Sequence, residues 1–282
     1  MKLGLFGINT GVCAQPEVAV RVARAAEEAG LESVWTGEHA VLPDPQVPPS
    51  PAPPRHPMLD PAACLGFLAG QTQRLRLATG IVILPQRNPL LLAKEMASVD
   101  VLSGGRLVLG VAAGYLEPEF RALGVPFAGR GPRTDEAIDV LRAVWTQEKP
   151  HFSGAHFRFE GVDAYPRPLQ QPHPPIVVGG HSAPAFRRAV SRGNGWYGFF
   201  QGLEATEACL AGLETAAKQV ERPAALGALE ISISPPPGLD ADRARRYQDL
   251  GVERLVPVPA ARDLDDWLRA VEESAALGEA LR

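Results

Sequence analysis

The chain has 282 residues, 45% hydrophobic and 21% charged, with a formal net charge of -4. That length suits one large domain with a full core. The lack of any basic block argues against nucleic acid as a partner, and no apolar run approaches the ~18 residues of a membrane span.

Lys2–Ile8 is apolar and short, a first strand, and too brief for a signal segment. Val18, Val22, Ala25, Ala26 and Ala29 recur at helical spacing and stop at Gly30, a natural residue for the position after a helix C-cap. Ser33–Trp35 is the second strand. The proline-dense Pro43–Pro57 that follows cannot be regular structure and predicts a stiff loop. Asp60-Pro61 pairs an N-cap with an N1 proline and opens a helix through Ala69. Leu75–Leu84 reads as one continuous apolar strand. Asn88-Pro89 opens a helix with Leu92, Met96 and Val99 on one face, ended by Gly104-Gly105, and Leu107–Val111 is the fourth strand. Ala137, Ile138, Leu141 and Trp145 mark the next long helix. His151–Pro168 then follows a helix rather than a strand, which predicts an extended excursion or short hairpin on the opposite face of the fold. Ile176–Val178, Trp196–Phe200, Leu226–Ile233 and Leu255–Val258 read as the remaining strands, with helices from about Pro184, Leu203, Asp240 and Asp263. Asp263 with Asp266 three residues on has the form of a capping box.

Eight strand–helix pairs, with strands apolar throughout, predict an α/β fold of one (β/α)8 TIM barrel over residues 1–282. A doubly wound open sheet is the rival. Cys13, Cys64 and Cys209 are few and widely spaced, which suits small buried side chains in a reducing cytoplasm.

A barrel builds its active site at the C-terminal ends of its strands, so the candidates are Thr36–His39, Pro85–Asn88, Ala112–Tyr115 and Gly179–Ser182. In Gly179-Gly180-His181-Ser182 a strand, paired glycines and a helix start bring backbone N–H groups together at the positive end of a helix dipole. This can hold a phosphate. The same residues also read as a tight turn with Ser182 as an ordinary N-cap. The run to Pro184 imitates a nucleophile elbow, but no histidine follows His181 in the chain, so a hydrolase triad is rejected. Gly193–Gly198 matches G-x-G-x-x-G by letters, yet it ends a helix and enters a strand, the reverse of the dinucleotide context. Glu38-His39 places an imidazole at a strand end, where it can exchange protons near neutral pH. Gly80 inside a strand marks a bulge or a close approach. Ala112, Ala113 and Gly114 leave a flat slot beside it. No spacing suggests a metal.

These residues also carry a resemblance. Ser33–His39, Thr79–Pro89, Leu102–Leu107, Gly110–Gly114 and Pro174–Gly180, taken in order, resemble the luciferase-like monooxygenase family, and within it the class of oxidoreductases that use the deazaflavin F420. The resemblance is strong over residues 2–200 and weak beyond. It implies that Glu38 contacts the cofactor and that His39 is its neighbouring proton donor or acceptor. It also implies a non-prolyl cis peptide within Gly80–Val82, with Gly80, Ile81 and Val82 backing the ring. Ala113 and Gly114 would line that ring, and Gly179, Gly180, Ser182 and Ala183 would hold the phosphate. Two positions depart from the pattern. Tyr115 stands where members acting on a sugar phosphate carry glutamate, and Leu84 replaces a polar residue. The implied activity is hydride transfer between F420 and a small organic substrate. The alternatives are an FMN-dependent monooxygenase of the same family, or a barrel that only binds a phosphorylated ligand. The resemblance further implies a cytoplasmic homodimer, so light scattering at micromolar concentration is expected to give twice the 30.1 kDa chain mass. A stable monomer would contradict it.

Overall fold

The protein is described by a computed structural model covering residues 1–281. Its elements run β1 (Lys2–Phe6), α1 (Pro16–Glu28), β2 (Ser33–Thr36), α2 (Pro61–Ala69), β3 (Arg76–Thr79), β4 (Val82–Ile83), α3 (Pro89–Leu102), β5 (Leu107–Ala112), α4 (Glu117–Ala122) and α5 (Arg130–Thr146). They continue β6 (Phe152–Ser153), β7 (Arg158–Phe159), β8 (Ile176–Gly179), α6 (Ala183–Arg192), β9 (Gly195–Phe199), α7 (Leu203–Ala217), β10 (Glu230–Ser234), α8 (Ala241–Asp249), β11 (Arg254–Leu255) and α9 (Leu264–Ala280). Among the described residues no helix is long and apolar enough to cross a membrane.

The strands pair in parallel in the order β1, β2, β3, β5, β8, β9, β10, β11, and β11 returns to β1. The sheet is therefore a closed eight-stave barrel, with β3 and β4 as two halves of one stave, and the open doubly wound sheet is excluded. The local start signals act as the sequence indicates. Asp60 accepts from Ala63 N, Asn88 from Leu90 N, and Asp263 from Asp266 N.

Several boundaries differ from the sequence reading. The run Leu75–Leu84 is not continuous. It breaks at Gly80-Ile81, where the peptide is cis, and resumes as β4 against β5. The stretch beginning at Leu226 is a 3-10 turn over Ala224–Leu226, and the strand starts only at Glu230. The last stave is two residues, Arg254–Leu255, because two prolines, Pro257 and Pro259, follow closely and prolines cannot donate to the ladder. The excursion after α5 does contain a hairpin, β6 against β7. It lies on the helix layer instead of the far end of the barrel, because Glu136 of α5 accepts the N–H groups of Ala155, His156 and Phe157.

Side chains alternate along each stave. Leu3, Leu5, Val34, Leu77, Leu109 and Val178 face the helices in the main core. Each fully buried aliphatic chain of this kind contributes ~1.5–3 kcal/mol. The inward set is different. Trp35, Ala78, Val108, Val177, Tyr197 and Val256 form a separate inner cluster with Phe6 and Ile81. Trp35 stacks on Tyr197 with ring centroids 5.0 Å apart. Gly4 leaves room for it, since a Cβ there would lie 3.1 Å from Trp35 Nε1. All three cysteines are buried and free, and burial pushes the Cys13 and Cys64 thiols up to about 12.

Below the rings the inward set turns ionic, contrary to the uniformly apolar strands expected. Arg254 is 1% exposed. It donates to both oxygens of Glu32 at 2.8 and 2.9 Å, to Ser232 Oγ at 2.9 Å, and to Glu230. Its guanidinium carbon lies 5.7 Å from the Trp35 ring centroid. Burial alone would raise the Glu32 and Glu230 carboxyls, but Arg254 holds both below the ordinary 4.5. Lowered pKa values mean that this stabilisation is present above the unfolded-chain value and is lost as pH falls through the folded values. Arg254→Met is therefore expected to cost roughly 3 kcal/mol at pH 7 by leaving the Glu32 carboxylate without its guanidinium and Glu230 with Lys2 alone. It should also flatten the acid side of the stability profile below pH 4.5. Urea denaturation of both proteins from pH 7 to 3 measures this, and parallel profiles would refute it.

Candidate active site

The C-terminal ends of the staves form a mouth whose floor is Phe6 and Ile81, and the proline-rich loop is anchored at its edge. Asn9, after β1, does the anchoring. Its Nδ2 donates to Gly37 O at 2.9 Å and Leu59 O at 2.6 Å, and its Oδ1 accepts from Gly37 N at 2.9 Å. Met58 at the end of the loop pairs with Thr10, and its sulfur accepts from His39 N at 3.1 Å.

Glu38, just beyond β2, is buried with both oxygens in use. One accepts from Ile83 N, and the other from Arg87 Nε at 2.8 Å and from Arg87 Nη2. Arg87 also reaches Asp60 Oδ2 at 2.6 Å, and Asp60 caps α2. Burial pushes the Glu38 carboxyl up, and Arg87 and the Ile83 amide offset part of that rise. Glu38 thus fastens the stave where it resumes after the break at Gly80-Ile81. Arg87 lies in the Pro85–Asn88 candidate segment and Ile83 in the third strand, but that Glu38 binds them is decided by the fold.

His39 is held by a residue the sequence reading missed. Its Nδ1 lies 3.0 Å from Oε2 of Glu119, a fully buried carboxylate on the short α4. The other Glu119 oxygen accepts from Ala40 N at 2.6 Å and from Val41 N at 3.4 Å. An imidazole whose Nδ1 faces a carboxylate carries its proton there, which leaves Nε2 as the working atom. Tyr115 sits edge-on to His39, ring centroids 5.9 Å apart. Burial and the Glu119 charge raise the Tyr115 phenol, so it stays a donor at neutral pH.

The small residues are required by contact. Gly110 abuts the Thr79 carbonyl, and Thr79 Oγ1 donates to Gly110 O at 2.7 Å, so a Cβ at 110 would strike the backbone beside the break. A Cβ on Gly179 would lie 3.1 Å from Ile81 Cγ2, and one on Gly114 would lie 2.5 Å from Ile83 Cγ2. Ala113 and Gly114 are half-buried at the edge of the mouth. Val82 differs from Ile81. Its side chain is fully buried in the helix-facing core, because the alternation resumes with it pointing outward, so only its backbone can reach the mouth.

On the far side, Ser182 caps α6 with no side-chain hydrogen bond, and Ser182 and Ala183 are exposed. The turn is fixed by Trp196 Nε1, which donates to Gly180 O at 2.9 Å. Burial against Trp196 lowers the His181 imidazole, which favours its neutral form. Arg188 does not serve this turn. It is buried, donating to Asp135 Oδ1 at 2.6 Å and to Gly131 O at 3.0 Å.

Comparison with known proteins bears on the family and the fold. Residues 6–279 match the model of the luciferase-like monooxygenases. An FMNH(2)-dependent dimethylsulfone monooxygenase of Pseudomonas putida is 38% identical over 133 residues, 46% of this chain and 36% of that protein. An uncharacterized protein of Mycobacterium tuberculosis is 30% identical over 265 residues, 90% of this chain and 91% of that one. The structure of an F420-dependent secondary alcohol dehydrogenase bound to an F420-acetone adduct overlays with a TM-score of 0.78 at 17% identity, covering 100% of this chain and 99% of that one. At that identity the likeness concerns the fold.

The Glu38–Arg87 pair is testable apart from any cofactor. Arg87→Met strands a buried carboxylate and is expected to cost ~3–5 kcal/mol. Adding Glu38→Gln should restore a good part of that loss, a coupling that a double-mutant cycle by chemical denaturation reads directly. Additive losses would show that the two do not act together.

Proposed function

Because the chain belongs to the luciferase-like monooxygenase family, we propose that it is an oxidoreductase that moves a hydride between coenzyme F420 and a small organic substrate at the barrel mouth. The observation that carries this reading is the His39–Glu119 pair. Oxidation or reduction at a carbon–oxygen bond needs a proton to leave or arrive as the hydride moves. An imidazole with Nδ1 pinned by a buried carboxylate presents Nε2 for that role.

The residues present fit a flat ring with a phosphate-bearing tail. The Gly80-Ile81 edge would support the ring from behind, with Val82 contributing only backbone, and Ala113 and Gly114 would border it. The α6 N-terminus has backbone amides, an unengaged Ser182 hydroxyl and glycines at 179 and 180, a donor set suited to phosphate. Glu38 would act from beneath by holding Ile83 and Arg87 in place. When bound, the deazaflavin supplies hydride chemistry. The protein supplies orientation, exclusion of water and, at His39 Nε2, an atom that takes a proton from the substrate or, once protonated, returns one. The FMN-dependent monooxygenase reading is favoured by the stretch shared with the Pseudomonas putida enzyme and uses the same bed.

Titration of the purified protein with F420 and with FMN, followed by absorbance, distinguishes the two. His39→Asn is expected to keep cofactor affinity within a few-fold and lower turnover by ~10²–10⁴. Full turnover in the variant would make His39 a bystander. Loss of cofactor binding would make it a shaping residue instead.

A further inference from the structure

A column of rings rises from the base of the barrel to its mouth. Trp35 and Tyr197 are buried, and Tyr197 OH is fixed by Ser234 Oγ at 2.5 Å. Phe199 lies 6.3 Å from Tyr197, 5.0 Å from Phe6 and 5.0 Å from Phe200, centroid to centroid. The last two rings break the trend of burial, since Phe199 is 38% exposed and Phe200 is 46% exposed.

Phe200 is also the one non-glycine with positive φ among the described residues, at 55°. For a bulky side chain this left-handed conformation costs ~1–2 kcal/mol and persists only where neighbours enforce it. Gln201 is the enforcer. Its N–H donates to Ser234 O at 3.0 Å, and its carbonyl accepts from Tyr247 OH at 2.7 Å. Its Nε2 donates to Phe199 O at 2.9 Å, and its Oε1 accepts from Cys209 Sγ at 3.6 Å. Four bonds from β9, β10, α7 and α8 thus hold the turn that keeps a strained aromatic residue at the rim. Folding alone would favour glycine there.

The polar groups nearby are already committed. Glu38 is taken by Arg87 and Ile83, and Glu119 by His39, Ala40 and Val41. What the mouth still offers is His39 Nε2, the Tyr115 phenol, the Ser182 hydroxyl assigned above to the phosphate, and exposed ring surface.

We propose that Phe199 and Phe200 are the specificity wall of this site, and that its substrate is an uncharged molecule bearing a planar aromatic group. Ring against ring, at centroid separations of ~4.5–7 Å, adds attraction beyond simple area burial. Among the described residues no Arg or Lys lies over the Phe199 or Phe200 ring, the cation–ring pairs being on Phe127, Phe157, Tyr165 and Trp35, so an anionic group that loses its water against the wall gains no cation there. The proposal rests on the mouth being the active site, as in the function proposed above.

The test is isothermal titration calorimetry on the full chain, with and without saturating F420 or FMN. The probes are 2-naphthol, its saturated counterpart decahydro-2-naphthol, and 2-naphthoate. Wild-type protein is expected to bind 2-naphthol several-fold tighter than the saturated probe and roughly tenfold tighter than the carboxylate. Phe199→Ala and Phe200→Gly should each weaken 2-naphthol roughly tenfold. Phe200→Gly should at the same time hold or raise the melting temperature, by up to about 3 °C, because the left-handed turn then carries glycine. Unchanged naphthol affinity in both variants, equal affinity for the charged or saturated probe, or displacement of naphthol by the cofactor would overturn the wall. A fall in melting temperature for Phe200→Gly would make Phe200 a packing residue and overturn it too. If neither cofactor binds, the cofactor reading fails while the variants still report on the wall.

Discussion

The Glu38 carboxylate is the point on which the mouth depends. The third stave is interrupted at Gly80-Ile81, and beyond the break its ladder continues against β5. Glu38 secures its other side from the neighbouring stave by accepting the Ile83 amide on one oxygen and clasping Arg87 with the other. Arg87 carries the constraint on to Asp60 and so to the start of α2. The residue after Glu38 is His39, so the anchor that secures the stave also sets where the imidazole begins. Buried ion pairs are seldom efficient sources of stability. This one is better understood as holding the resumed stave on the side that β5 does not pair.

The barrel interior divides its labour along its axis. At the base, Arg254 binds Glu32, Glu230 and Ser232 and lies over Trp35, which makes a polar plug. Above it the stacked Trp35–Tyr197 pair fills the waist. Glycines at 4, 110 and 179 supply the space that large rings and the broken stave consume. Toward the top the side chains become half-exposed and aromatic, and there the chemistry-bearing groups converge. A base held by charge and a waist held by packing leave the rim free to carry strained or exposed residues such as Phe200.

A second recurring device is a carboxylate on one helix clasping the backbone of a distant turn. Glu27 of α1 accepts from Gln73, Arg74 and Leu75 before β3, Glu136 of α5 from the hairpin, and Asp100 of α3 from Leu169 and Gln170. Glu119 follows the same logic at the mouth, except that one of its oxygens takes an imidazole nitrogen in place of an amide. The catalytic-looking pair is thus a variant of a structural clasp already used three times in the chain.

The amino-acid sequence by itself determined the alternation of strands and helices, the caps at Asp60, Asn88 and Asp263, the glycine stops and the end of the barrel at which chemistry could sit. Those features rest on hydrogen bonds and hydrophobic periods that span only a few residues, so they are written locally. The break inside Leu75–Leu84 was legible only as a glycine in a strand and a resemblance, because an apolar run looks the same whether or not its backbone is interrupted. The outward turn of Val82, the hairpin's seat on α5, the partners of Glu38 and the enforced conformation of Phe200 were decided by tertiary structure. So was Glu119, which lies 80 residues from His39 on a helix too short to announce itself. The partners of Glu38, His39 and Gln201 arrive because the fold brings residues distant in the chain to hydrogen-bonding range, and no spacing along the chain encodes which charged or aromatic side chain will arrive there.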